Sequence, residues 1–352
     1  MTGHGGNIYR AAEETGIPVS SIIDFSASVN PLGVPDSVAE VIRENIPLIA
    51  HYPEPFAEAL ANQVGAHLVI DPQTILCGNG STELIYLVAR ALAPQRVLIP
   101  APTFSEYERA CGMISGTSCI HLALSRENGF AIDVEAFIAA MSGCDMAFLC
   151  NPNNPTGRLL GRDAVHAIAQ AAHRIGCCLV VDEAFIEFSP GQSVVHEVAK
   201  NSQLIVLRSL TKYYALPGLR IGYAVLPAAL MPRMQGQKEP WTINNLAQKA
   251  GIAALHDRQY QDRTMTVIAE EKKYLEQGLS SLKIDRIPSA ANYYLIRMDN
   301  ARPVIASLRE KGILVRDCSN FIGLDGNDVR IAVRSRAENA VLLKELTRLC
   351  AV

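Results

Sequence analysis

The chain has 352 residues, of which 49% are apolar and 19% charged, and its formal net charge is −3. That length suits about two domains with a substantial buried core. The near-neutral balance and scattered basic residues leave no electrostatic footprint for nucleic acid or an anionic membrane surface. The opening M-T-G-H-G-G-N lacks the charged start and apolar run of a secretory signal, and no apolar stretch approaches the roughly 18–20 residues that span a bilayer. A cytoplasmic protein is therefore expected. The nine cysteines lie mostly in apolar segments without a C-x-x-C pair, and read as reduced core thiols rather than disulfides or metal ligands.

In chain order, the first strong helical signal covers residues 82–93, where Leu84, Leu87, Val88 and Ala91 share one face. Strand-like runs follow at 97–99 and 146–150. A helical pattern then occupies 162–175, with strands predicted at 178–182 and 204–207. Such alternation predicts an α/β unit with a largely parallel sheet and helices on both faces. Beyond residue 235 the texture changes. Residues 245–282 read as long helical material, and 293–297, 314–316 and 329–333 as strands of a smaller α+β unit. The first forty residues precede the first strand–helix alternation and are expected to pack with that unit. The predicted division is 41–245 for the large domain, and 1–40 with 246–352 for the small one.

Four turns carry unusual residues. Gly78-Asn79-Gly80-Ser81-Thr82 opens the first helix, where glycines allow close backbone approach and free N–H groups favour a phosphate. The string N-P-N-N-P-T-G follows the 146–150 strand, and its prolines and glycine frame Asn154 rigidly. Asp182 ends an apolar strand and needs a cationic or hydrogen-bonding partner. Lys212, in S-L-T-K-Y-Y-A-L-P-G-L-R-I-G-Y, follows another apolar strand, with Ser209, Thr211 and Arg220 around it. Alone, each reads as ordinary turn punctuation, a helix cap or a surface lysine. If the strands are neighbours, the four turns share the carboxyl edge where open α/β sheets bind ligands. There they offer a phosphate cradle, an amide, a carboxylate and an amine, which is what pyridoxal 5'-phosphate requires.

Taken in order, G-N-G-S-T-E, P-T-F, N-P-N-N-P-T-G, D-E-A-F and S-L-T-K-x-x-A-L-P-G-L-R-I-G-Y resemble fold-type I pyridoxal-phosphate enzymes of the histidinol-phosphate aminotransferase group. The resemblance covers essentially the whole chain. It implies a large domain with a mostly parallel seven-stranded sheet, a smaller α+β domain from both termini, and a homodimer with shared active sites. It also implies that Lys212 makes the covalent link to the cofactor and moves protons, while Asp182 faces the ring nitrogen. By the same resemblance Asn154 bonds the ring hydroxyl and Phe104 stacks on the ring. Gly80, Ser81, Thr82, Ser209, Thr211 and Arg220 surround the cofactor phosphate, and Tyr52 reaches in from a partner subunit. Many relatives have tyrosine where this chain has Phe185, whose ring cannot hydrogen-bond the cofactor.

Anion clamps decide which bond at the substrate's α-carbon breaks. The candidates are Arg316, Arg330 and Arg334, the last two sharing a face if 329–333 is a strand. The N-terminal His4-Gly5-Gly6-Asn7 and D-F-S-A-S-V-N-P-L-G, with E-P-W-T-I-N from residue 239, resemble threonine-phosphate decarboxylases of cobalamin biosynthesis. That resemblance implies that His4, Gly5, Ser28 and Asn30 cover a substrate phosphate. Ser28 stands where the decarboxylase pattern has asparagine, which keeps serine phosphate open as a substrate. The expected reaction is decarboxylation of L-threonine O-3-phosphate to (R)-1-amino-2-propanol O-2-phosphate. The alternative is a histidinol-phosphate-type aminotransferase. A non-catalytic cofactor-binding regulator would need a DNA-binding segment, and no basic patch supports one.

Overall fold

The structure, a computed structural model, describes residues 4–350. A two-residue strand, β1 (Ile23–Asp24), precedes the main sheet. That sheet comprises β2 (Ile75–Gly78), β3 (Arg96–Ala101), β4 (Ser118–Ala123), β5 (Met146–Cys150), β6 (Cys178–Asp182), β7 (Leu204–Ser209) and β8 (Gly222–Val225). Its spatial order is β2-β8-β7-β6-β5-β3-β4. Only β8 runs antiparallel to its neighbours; the other pairings are parallel. The seven-stranded, mostly parallel sheet expected from the sequence is thus present.

β5, β6 and β7 are buried along their whole length, because helices cover both faces and leave no side of these strands for polar residues. Alternation at period two divides them between two cores. Leu149, Val181 and Val206 join one cluster, while Phe148, Val180 and Ile205 join the other. The chain runs outward from β3 to β4 and then returns to place β5 on the other side of β3. The carboxyl ends of β3 and β5 therefore flank a topological switch point, where a crevice opens.

The remaining strands are β9 (Asp285–Arg286), β10 (Tyr293–Arg297), β11 (Ile313–Leu314), β12 (Arg316–Asp317) and β13 (Asp328–Ala332). Four of them form an antiparallel sheet in the order β12-β13-β10-β9, and β11 pairs with β1. The predicted 314–316 strand is split at Val315, because Leu314 pairs with Asp24 and Arg316 with Arg330 in a different sheet. The amino-terminal segment is stitched to this region by backbone hydrogen bonds. Phe25 donates its N–H to the Leu314 carbonyl at 2.7 Å and accepts from the Ala332 N–H at 2.9 Å. The 245–282 stretch divides into helices Asn245–His256 and Arg258–Ser281 at Asp257, whose carboxylate accepts the Tyr260 N–H and caps the second helix.

A buried ion cluster fixes the turn after β6. Arg208 on β7 lies 2.9 Å from Glu183 through Nε and 2.8 Å from Glu187 through Nη1. Glu183 also accepts the Val194 N–H at 2.8 Å. Removing the guanidinium leaves the buried Glu183 and the largely buried Glu187 without their cation, so Arg208→Met should cost about 3–5 kcal/mol of stability, measured as a shift in the denaturant midpoint. A shift below roughly 0.5 kcal/mol, the range of ordinary surface substitutions, would show that the cluster does not hold the fold.

Candidate active site

The carboxyl ends of β3, β5, β6 and β7 open onto a cavity of about 370 Å³. Lys212 lies in the turn after β7, half-buried, with its amine lining this cavity. Burial and the guanidinium groups of Arg330 and Arg220 push the amine down to about 8. Asp182 ends β6 on the same wall. Its Oδ2 accepts the Tyr107 hydroxyl proton at 2.8 Å and its Oδ1 accepts the Ala184 N–H at 3.0 Å. Burial nonetheless pushes this carboxyl up to about 6. An amine shifted down and an acid shifted up in one cleft mark a chemically active centre more than a structural ion pair.

The helix Gly80–Leu92 begins at the cavity rim. Asn79, its N-cap, makes no side-chain capping bond, so the first backbone N–H groups stay free for an anion. Ser81 and Thr82 line the cavity beside Ser209 and Thr211, whose hydroxyls are 2.7 Å apart. Gly80 has φ +77°, and a Cβ there would lie 2.5 Å from Arg220 Nη2, so only glycine lets this guanidinium reach the helix start.

Asn154 leaves the turn after β5, and its Oδ1 accepts from Arg330 Nη1. Phe104 packs edge-on against Tyr107 at 5.7 Å, and Phe185 edge-on against Tyr293 at 5.0 Å; both line the cavity. On the opposite wall Arg316 and Arg330 are direct cross-strand partners, each only 8% exposed. Arg316 donates to Asn320 Oδ1 at 2.6 Å, and Arg330 donates to the Ser26 carbonyl at 2.8 Å. These partners are neutral, as is Asn154. Arg330 Nε and Ser28 Oγ are buried without any hydrogen-bond partner.

The amino-terminal arm closes one side. A Cβ on Gly5 would lie 2.2 Å from the Ser26 carbonyl oxygen, so this approach requires glycine. Gly6 donates its N–H to Ser26 Oγ at 2.8 Å. His4 sits 2.8 Å from the buried carboxylate of Glu106, which also accepts the Tyr86 hydroxyl proton at 2.6 Å.

Two residues expected at a substrate are not there. The Asn30 side chain is spent within the protein. Its amide donates to the Tyr213 carbonyl and to Thr264 Oγ1, both at 2.7 Å, and its oxygen accepts the Leu32 N–H at 3.0 Å. Its own N–H donates to the Lys212 carbonyl at 3.0 Å, so Asn30 braces the lysine turn instead of meeting a ligand. Arg334 fails for a geometric reason: β13 ends at Ala332, so strand alternation no longer relates it to Arg330. It pairs with Glu338 at 2.6 Å instead. Tyr52 is 85% exposed and packs tilted against Trp241 at 5.5 Å; it does not line the cavity of its own chain. Glu106, Tyr107, Arg109, Cys150 and Ser26 do line it and were not anticipated. The P-T-F motif that located Phe104 stops two residues short of Glu106 and Tyr107.

The chain belongs to the aminotransferase class I and II family, which it matches over residues 20–346. The cofactor of that family is pyridoxal 5'-phosphate, and the residues present fit it: uncapped N–H groups with hydroxyls for a phosphate, a shifted lysine for an aldehyde, and a buried carboxylate for a ring nitrogen. The chain is 40% identical over 347 residues to threonine-phosphate decarboxylase from Salmonella typhimurium, covering 97% of this chain and 95% of that one. Its fold matches L-threonine-O-3-phosphate decarboxylase from Porphyromonas gingivalis with a TM-score of 0.83 and 29% identity, over 94% of this chain and 100% of that one. The histidinol-phosphate aminotransferase of Clostridium acetobutylicum matches with a TM-score of 0.87 and 30% identity, over 94% and 99%.

The depressed lysine gives a direct test. In the cofactor-free protein Lys212 should become a neutral nucleophile as pH rises through about 8, against about 10.4 for an ordinary lysine. Its labelling by an amine-reactive probe, followed by peptide mass spectrometry across pH, should reach half its maximal rate near that value. A midpoint at the ordinary value would refute the environment described.

Proposed function

We propose that the protein is a pyridoxal-phosphate-dependent decarboxylase that converts L-threonine O-3-phosphate to (R)-1-amino-2-propanol O-2-phosphate in cobalamin biosynthesis. The observation that carries this reading is the pairing of Arg316 with Arg330. Like charges directly opposed on neighbouring strands destabilise a sheet, and buried charges demand compensation. Among the described residues neither guanidinium has a carboxylate within ion-pair distance; their hydrogen bonds go to Asn320, Asn154 and the Ser26 carbonyl. The natural compensation is a ligand with two anionic ends, one for each planar fork. A phosphorylated amino acid has that form, and the 40% identity to a threonine-phosphate decarboxylase supports the same choice.

When bound, the cofactor supplies an electron-withdrawing ring that accepts the electron pair of the bond broken at the α-carbon. Arg316 and Arg330 hold the anionic ends and so set which α-carbon substituent is aligned for cleavage. His4, Gly5 and Ser28 close over the phosphate and exclude water. Lys212 delivers the proton that replaces carbon dioxide, for which an amine titrating near 8 is well matched to neutral pH. Asp182 would hold the ring nitrogen, and Asn154 would offer its amide N–H to the ring hydroxyl. Phe104 would cover the ring, while Gly80, Ser81, Thr82, Ser209, Thr211 and Arg220 would hold its phosphate.

The same reading assigns residues 41–245 to a cofactor-binding domain, and 1–40 with 246–352 to a smaller domain that covers the substrate. It also makes the protein a cytoplasmic homodimer; no helix among the described residues is long and apolar enough to cross a membrane. Tyr52, exposed beside Trp241 with Ile46 and Ile49 also exposed, belongs to an apolar patch of the kind that marks an interface, from which it reaches the partner's cofactor phosphate.

The purified protein loaded with pyridoxal phosphate should release carbon dioxide from L-threonine O-3-phosphate without any keto acid. Transamination that requires 2-oxoglutarate and evolves no gas would replace this reading with an aminotransferase. Arg316→Ala and Arg330→Ala should each lower kcat/KM about 100-fold or more, because removing one partner of a buried charge pair costs roughly 2–5 kcal/mol.

A further inference from the structure

The cavity wall includes a group that the proposed mechanism leaves unused. Tyr107 is fully buried. Its ring lies flat against Phe148 at 4.7 Å, with an interplanar angle of 11°, and its edge meets Phe104 at 5.7 Å. Two aromatic neighbours therefore fix the ring, and the fixed ring aims its hydroxyl at Asp182 Oδ2, 2.8 Å away. We infer that Tyr107 is a positioning residue for the cofactor: its hydroxyl holds the Asp182 carboxylate in one orientation and keeps it ionised against the ring nitrogen. The inference rests on cofactor binding by Asp182, and not on which substrate is decarboxylated.

The surroundings of Asp182 single out this hydroxyl. Side chains that bear on the carboxylate come from every packed element: Tyr107 from the helix Glu106–Gly112, Cys150 from β5, Glu183 from the following position, Lys212 from the turn after β7 and Tyr293 from β10. Burial opposes the charged form, and so does Glu183. Burial pushes the Cys150 thiol up to about 12, so it stays neutral, and its Sγ–H is directed to the Pro152 carbonyl at 3.4 Å. Tyr293 donates instead to the Asn153 carbonyl at 2.8 Å. Lys212 favours the charged form, but its amine is the group committed to the cofactor aldehyde. Among the described residues two hydrogen-bond donors then remain on the carboxylate, the Ala184 N–H and the Tyr107 hydroxyl. Of these, only the hydroxyl comes from a side chain. A hydrogen bond to the ionised form favours it over the neutral form, so losing Tyr107 favours protonation of Asp182 and weakens its grip on a protonated ring nitrogen.

Tyr107→Phe keeps the stacked ring and deletes the hydroxyl. Parent and variant holoenzymes would be titrated between about pH 5 and 9 while the visible absorbance and circular dichroism of the bound cofactor are recorded, with cofactor affinity measured by dialysis. In the variant the acid-side spectral midpoint should move up, and the cofactor dissociation constant should rise about tenfold or more, as expected for a lost bond to a charged group. 3-Fluorotyrosine at position 107 is a stronger donor of nearly the same shape, and should move the midpoint the opposite way. This second protein keeps the test decisive if the phenylalanine variant folds poorly. Unchanged midpoints in both proteins would overturn the inference. So would a change in affinity without any spectral shift, because that outcome marks a merely structural role.

Discussion

Two buried arginines stand directly opposite each other on adjacent strands, and among the described residues they are held there by neutral partners and no carboxylate. β12 is only two residues long, yet its register puts Arg316 opposite Arg330. Arg330 is then held by Asn154, from the large sheet, and by the Ser26 carbonyl, from the amino-terminal segment. One side chain thus joins three parts of the chain at the cavity. Left uncompensated, such a pair is unfavourable; under the function proposed above, an anionic substrate would compensate it. This is the usual relation between local frustration and function.

The opposite wall obeys a complementary rule. Lysine and aspartate stand at the ends of adjacent parallel strands, and burial moves both toward their neutral forms. The large sheet provides this environment because its central strands are covered on both faces. Loop residues at its carboxyl edge are held to a rigid frame while remaining accessible to a ligand. The Arg208 cluster and the Asn30 brace reinforce two of those loops from behind, the first at the turn after Asp182 and the second at Lys212.

Much of this was legible in the sequence. The bounds of β5, β6, β10 and the helix Arg162–Ile175 coincide with the apolar runs and helical period that predicted them, because fully buried strands and amphipathic helices carry strong local patterns. β4 was missed. It lies at the sheet edge, and its S-C-I-H-L-A alternates only partly between exposed and intermediate positions. β8 was missed because it is four residues long and starts with glycine. Residues that belong to specific turns, including Lys212, Asp182, Asn154 and Ser81, were found from their strings. The cross-strand pairing of Arg316 with Arg330 could not be found that way, since register is a tertiary property. Asn30 and Arg334 were misread for the same reason, as their partners Thr264 and Glu338 are set by packing and by where a strand stops. Tyr107 lies outside every motif read from the sequence, and only the fold brings it to Asp182.

The bond between the Ser26 carbonyl and Arg330 spans 304 positions of the chain, which bears on how the protein is made. A ribosome adding about 5–20 residues per second needs roughly 15–60 s to progress from one partner to the other. Throughout that interval the strand at Ile23–Asp24 has been synthesised but has no edge to join, while the parallel sheet behind it can already assemble. The newborn chain therefore carries the wall with Asp182 and Lys212 before the wall with Arg316 and Arg330 exists, and the last part of the cavity to be completed is the arginine pair proposed to select what enters.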